Sequence, residues 1–142
     1  YDANTVKGAA NSVIDAAVLT QIQAAVPHAA FTSGYPTRLN YAQFGAIEPE
    51  PFTDLNGNGV RDPGECFTDM NGNGIWDANA GVSGQGGAND VVVYTVSIVY
   101  PHILPINAWL GWGSNLTLTA STILKNQPYA TQAGRTYAVI CS

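Results

Sequence analysis

Asp54, Asn56, Asn58, Asp62 and Glu65 stand at positions 1, 3, 5, 9 and 12 of a twelve-residue stretch. That is the spacing at which a single loop can wrap six to eight oxygens around a hard divalent cation, with a backbone carbonyl supplied at position 7. Position 7 is Val60, and Gly59 falls at position 6, where the loop must turn sharply. Fifteen residues on, the stretch returns: Phe52-Thr53-Asp54-Leu55-Asn56-Gly57-Asn58-Gly59-Val60 becomes Phe67-Thr68-Asp69-Met70-Asn71-Gly72-Asn73-Gly74-Ile75. The second copy offers Asp69, Asn71, Asn73, the carbonyl of Ile75, and Asp77. Its position 12 is Ala80, so this loop is expected to bind more weakly or to borrow an oxygen, with Glu65 and Asp90 as the nearest lenders. Asn-Gly pairs make tight turns without any metal, but five ligand-type residues in register, four of them repeated, point to a cation. Five of the ten acidic residues of the chain lie here and would repel one another without one. Ca²⁺ fits an all-protein oxygen cage, whereas Mg²⁺ dehydrates reluctantly and seldom uses one. One to two calcium ions are expected. Only Cys66-Phe67-Thr68 separate the loops, too few residues for an intervening helix, so the pair is not a sensor that opens on binding.

Composition narrows the setting. The chain has 142 residues, enough for one domain with a real core. Only 11% of residues are charged, against about 25% in ordinary soluble domains, and the polar remainder is Asn, Gln, Ser and Thr. That profile, and the need for calcium near the millimolar level, favour a location outside the cytoplasm. A formal net charge of −5 argues against nucleic acid, which calls for a basic patch. In an oxidising compartment Cys66 and Cys141 could tie the metal segment to the C-terminal end. No apolar run reaches the length of a membrane span, and the first residue is Tyr1 rather than Met, so any leader or anchor would precede it.

Apolar residues at Val6, Ala10, Val13, Ile14, Ala17, Val18, Ile22 and Ala25 recur in steps of three and four, predicting an amphipathic helix over 4–26 that Pro27 stops. Asn4, Asn11 or Ser12 would serve as its cap. Thr37 to Phe44 reads as a short strand, and Glu48-Pro49-Glu50-Pro51 as a stiff acidic spacer. The glycine-rich run from Gly81 to Gly87 lacks the lysine of a phosphate loop and reads as a flexible connector. Val91 to Tyr100, β-branched and aromatic throughout, is the clearest strand and is expected to be central. Asn115 to Leu124 and Thr136 to Cys141 read as two more strands. One helix followed by three or four antiparallel strands is an α+β layer, with the helix packed on the sheet and the tandem loops, 52–80, inserted between strands one and two of a single domain. Neither His28 nor His102 stands beside a nucleophile pattern, so no catalysis is expected. Trp109, Trp112 and Tyr100 could stack on sugars, which makes a calcium-dependent glycan- or surface-binding module the alternative function.

From Val96 to Tyr129 the sequence resembles the TadE/TadG-like family of bacterial pilus-assembly proteins. The residues that carry the resemblance are Val99-Tyr100-Pro101 with Leu104-Pro105, Leu110-Gly111-Trp112, and the strand Thr119-Ala120-Ser121-Thr122-Ile123-Leu124-Lys125-Asn126-Gln127-Pro128-Tyr129. The resemblance implies a pilin-like fold and a structural role as a minor pilin or pseudopilin of a tight-adherence pilus. Partners would be other pilus subunits or further copies of the chain. The location would be extracytoplasmic, at the periplasmic face of the inner membrane or in a surface filament. Family members also carry an N-terminal hydrophobic anchor helix, which would lie before Tyr1.

Overall fold

A computed structural model describes residues 3–101, 115–127 and 136–141. Among them lie one α-helix, α1 (Ala3–Ala25), and seven strands: β1 (Ala30–Phe31), β2 (Thr37–Tyr41), β3 (Cys66–Asp69), β4 (Val82–Ser83), β5 (Val91–Pro101), β6 (Asn115–Lys125) and β7 (Ala138–Cys141). The strands form a five-stranded sheet in the order β1-β5-β2-β4, with β6 also on β5, and a separate two-stranded sheet of β3 and β7. The α+β class and the antiparallel pairing agree with expectation. The last strand does not: it leaves the main sheet and pairs with the segment between the two loops. The readings of His102, Trp109 and Trp112, and of Pro128-Tyr129, fall outside the described residues. Among the described residues no helix is long and apolar enough to cross a membrane.

The chain divides into two compact units, Tyr1–Thr37 with Thr95–Ser121, and Arg38–Tyr94 with Thr122–Ser142. In the first, α1 ends where Val26 N–H still reaches the Ile22 carbonyl at 2.7 Å and Ala29 N–H closes on Val26 at 3.2 Å. His28 lies between them with φ 66°, a left-handed residue that turns the chain out of the helix. Asn4, Asn11 and Ser12 all lie within the helix, which begins at Ala3; Ser12 bonds back to the Ala9 carbonyl at 2.8 Å. The protected stripe also differs from the apolar one. Asn11, Asp15, Val18, Leu19, Ile22 and Val26 are partly covered, whereas Ala10, Val13 and Ala17 face solvent. β1 pairs antiparallel with β5 (Ala30 opposite Val99), and Ser97 Oγ accepts from both Thr32 Oγ1 at 3.2 Å and Thr119 Oγ1 at 3.0 Å.

The second unit holds most of the buried apolar residues: Tyr41, Ala46, Phe67, Ala80, Val91, Val92 and Tyr94. Val91 and Val92, successive residues pointing to opposite faces, are both nearly inaccessible, which makes β5 a strand covered on both sides, as expected. β2 pairs with β4 (Leu39 opposite Ser83), and the Arg38 guanidinium lies 4.7 Å from the centre of the Tyr94 ring. The glycine-rich run is no loose connector. Asn40 donates to the carbonyls of Val82 and Gly84, and Asn126 to those of Gln85 and Gly87. Gly86 has φ 63°, and a Cβ there would fall 2.5 Å from Asp90 Oδ2. β4 ties the start of the run to β2, and side-chain amides bind further carbonyls along it.

Candidate metal centre

Each loop is built on an aspartate that gathers peptide N–H groups. Asp54 Oδ1 accepts from Gly57 at 2.7 Å and Asn58 at 3.2 Å, and its Oδ2 accepts from Gly59 at 2.8 Å. Asp69 repeats this with Gly72 at 2.6 Å, Asn73 at 3.2 Å and Gly74 at 2.8 Å. Such nests require left-handed turns, and Gly57, Gly59, Gly72 and Gly74 have φ between 74° and 80°. Asn56 and Asn58 both donate to Asp62 Oδ2, at 2.7 and 2.8 Å, as Asn71 and Asn73 do to Asp77 Oδ2, at 2.8 and 2.6 Å. The side-chain oxygens of Asn58 and Asn73 accept from Val60 and Ile75 N–H at 2.7 and 2.8 Å, which leaves the position 7 carbonyls to be directed by the turn. Between the copies, no equivalent distance here differs by more than the 0.2 Å separating 2.8 from 2.6 Å.

The first loop is closed by Glu65, whose Oε1 accepts from Leu55 N–H at 2.7 Å and Oε2 from Asp62 N–H at 2.9 Å. In the second loop neither expected lender takes this place. Glu65 is committed to the first loop, and Asp90 accepts from Gly87 N–H at 2.7 Å. The carboxylate that stands there is Glu50: Oε1 accepts from Met70 N–H at 2.7 Å and Oε2 from Asp77 N–H at 3.0 Å. The supposed acidic spacer therefore contributes to the site. The signal was present in the sequence. Glu50-Pro51-Phe52-Thr53-Asp54 and Glu65-Cys66-Phe67-Thr68-Asp69 show that the repeat begins two residues before Phe52.

The two copies face one another about a local two-fold relation. Thr53 N–H donates to the Cys66 carbonyl and Thr68 N–H to the Pro51 carbonyl, both at 2.8 Å, flanking an antiparallel bridge between Phe52 and Phe67. Glu65 N–H meets the Asp62 carbonyl at 3.1 Å and Glu50 N–H the Asp77 carbonyl at 3.0 Å. Even the unlike pair Arg61 and Trp76 obeys the relation. Arg61 Nη2 donates to the Glu65 carbonyl and lies 5.2 Å from the Phe67 ring centre; Trp76 Nε1 donates to the Glu50 carbonyl and meets Phe52 edge-on at 6.0 Å. The relation puts Glu50 against the loop of the second copy and Glu65 against the loop of the first.

β3 leaves the first loop and enters the second, and its other edge pairs with β7 in register Cys66–Cys141, Phe67–Ile140, Thr68–Val139 and Asp69–Ala138. Cys66 and Cys141 are joined by a disulfide across 75 residues of sequence. The expected tie between the metal segment and the C-terminal end is therefore present. An open recess of about 440 Å³ lies beside the second loop, lined by Asp69, Asn71, Thr136 and Tyr137 among others.

The electrostatics suit a cation. Glu50, Glu65 and Asp69 are 1%, 3% and 5% exposed, and among the described residues the hydrogen bonds they accept come from peptide N–H groups. Those dipoles satisfy lone pairs but leave buried charge uncompensated, which is costly without a counter-ion. The Asp54 carboxyl is held below the ordinary aspartate value, chiefly by the Gly59 N–H, against an opposing desolvation effect and with further N–H groups from Gly57, Asn58 and Asn56. Among the described residues no group of three or more His, Cys, Asp or Glu is gathered closely enough to hold a metal by those groups alone. A resident ion would therefore take mixed oxygens: Asp54, Asn56, Asn58, the Val60 carbonyl, Asp62 and Glu65 in one loop; Asp69, Asn71, Asn73, the Ile75 carbonyl and Asp77 in the other. No protein-family model matches this chain, and no curated protein or solved structure gives a significant match.

Proposed function

We propose that this chain is a non-catalytic, extracytoplasmic structural domain, a minor pilin or pseudopilin-like component of a surface filament, whose tandem loops 52–80 bind calcium inside a pilin-like α+β layer. The observation that carries the calcium reading is the duplicated twelve-position loop, reproduced in hydrogen-bond geometry in both copies. Calcium joins carboxylates that would otherwise repel and so braces the edge of the domain. Binding the native state alone must stabilise it, by about 4 kcal/mol per ion when free calcium is a thousand times the dissociation constant. Thermal melts in excess chelator and in millimolar calcium test this: the midpoint should rise by on the order of 10 °C or more with calcium. A midpoint indifferent to chelator removes the calcium reading.

The assembly reading is supported by the low charge fraction, by the resemblance across Val96 to Tyr129, and by a solvent-facing stripe on α1. Val13 is 69% exposed, with Ala10 and Ala17 exposed on the same side at three- and four-residue spacing. A neighbouring subunit would cover this stripe. Val13→Asp should change the unfolding free energy of the isolated domain by no more than about 0.5 kcal/mol, as an exposed position allows, while preventing incorporation into an oligomer or filament. An unfolded variant whose remaining folded fraction assembles normally would make Val13 a core residue and defeat this reading.

A further inference from the structure

We infer that the two loops form one coupled two-ion unit in which each calcium is closed by the glutamate of the opposite repeat: Glu65 for the Asp54 loop and Glu50 for the Asp69 loop. The inference rests on the calcium reading above and names a ligand and a coupling that the loop pattern alone does not contain. Three observations meet on Glu50. It is the two-fold counterpart of Glu65, the residue at position 12 of the complete loop. Its two oxygens accept from Met70 and Asp77 N–H groups, the counterparts of Leu55 and Asp62, within 0.1 Å of the same distances (3.0 against 2.9 Å, and 2.7 in both). It is 1% exposed, so its charge faces no bulk water. A carboxylate placed in this way over a loop of five further oxygen ligands is the bidentate donor that the second loop lacks at Ala80.

The exchange also couples the sites. Glu50 lies four residues before Asp54, on the segment that enters the first loop, and Glu65 lies four before Asp69, on the segment that enters the second. An ion that fixes Glu65 thereby fixes the start of β3 and the placement of Asp69. An ion that fixes Glu50 fixes the segment leading to Asp54. The paired Thr53–Cys66 and Thr68–Pro51 hydrogen bonds hold these two segments side by side. Filling one loop therefore orders part of the other before its ion arrives, which is positive cooperativity by shared ordering.

The test uses the whole chain with its disulfide intact. Calcium calorimetry gives the number of ions, and terbium luminescence sensitised by Trp76, at position 8 of the second loop, reads that loop, with Trp76→Phe as the control for other tryptophans. The unaltered chain should take two calcium ions cooperatively. Glu50→Gln should remove the Trp76-sensitised terbium signal or weaken it at least tenfold, matching Asp69→Asn, and should also weaken the remaining calcium several-fold. Glu50→Asp keeps the charge but shortens the arm by one methylene, and it should weaken the second site several-fold while the circular dichroism spectrum stays native. Two ions bound by Glu50→Gln with unchanged affinity, when Asp69→Asn has lost one, would overturn the inference and leave the calcium reading standing. Independent, non-cooperative sites would overturn the coupling. An unaltered chain that binds no calcium would defeat the underlying reading instead.

Discussion

The two loops reach the same geometry by different routes along the chain. In the first, the closing glutamate follows its aspartate by eleven residues, so one continuous segment contains every donor from Asp54 to Glu65. In the second, the closing glutamate precedes its aspartate by nineteen residues, and the loop is complete only when Glu50 folds back across the bridge between Phe52 and Phe67. A local loop and a non-local one thus end with the same set of N–H contacts. A contiguous motif finds the first, whereas the second needs the repeat read from Glu50 together with the two-fold pairing. The halves differ in their surroundings too: Phe67 is 1% exposed on a strand tied to β7, whereas its counterpart Phe52 is half-buried with Trp76 at its edge.

That asymmetry can be pressed hardest at the two phenylalanines. Phe67→Ala should cost about 3–5 kcal/mol, the range for a fully buried ring whose space cannot collapse. Phe52→Ala should cost distinctly less, because part of its ring already meets water. Chemical denaturation of both variants checks this, and equal losses would mean that burial differs less than the geometry indicates. The disulfide comes next. Replacing Cys66 and Cys141 by serine frees β7 from β3 and lengthens the unfolded chain's freedom, at about 2–5 kcal/mol. The loss should appear equally with and without calcium if the tie acts through the unfolded state. A loss seen only with calcium would place its effect in the second loop, beside Asp69.

The smallest effect expected is an acid limb in the calcium-free protein. Because the folded Asp54 carboxyl lies below its ordinary value of 3.8, its N–H bonds stabilise the fold fully above that value. The contribution is lost as pH falls through the depressed folded value. Asp54→Asn should flatten that limb by lowering the neutral-pH melting point slightly when chelator is present, while the two proteins converge in acid. An acid limb identical in the two proteins would show that the Asp54 nest forms only with the ion.

The sequence by itself determined the local elements. Steps of three and four with Pro27 behind them set α1, the β-branched run set β5, and the readings of Asn115 to Leu124 and Thr136 to Cys141 set β6 and β7 to within two residues. It also determined the first loop, whose donors follow one another at the spacing a cation demands, and it raised the pairing of Cys66 with Cys141. Tertiary structure decided the rest, wherever the outcome depends on what a segment meets at a distance. Which stripe of α1 is covered could not be read from alanines, valines and leucines that occur around much of its circumference. The run from Gly81 to Gly87 looks flexible until Asn40, Asp90 and Asn126 arrive to hold its carbonyls and N–H groups. β7 could have joined the main sheet as far as its pattern goes, and the register with β3 sent it elsewhere. Glu50, flanked by prolines and acidic like its neighbour Glu48, becomes part of the second loop only because a bridge between two copies of one motif turns it inward. Spacing along a chain encodes contacts within a turn or two; contacts across nineteen residues are encoded by pairing, and pairing is settled by the fold.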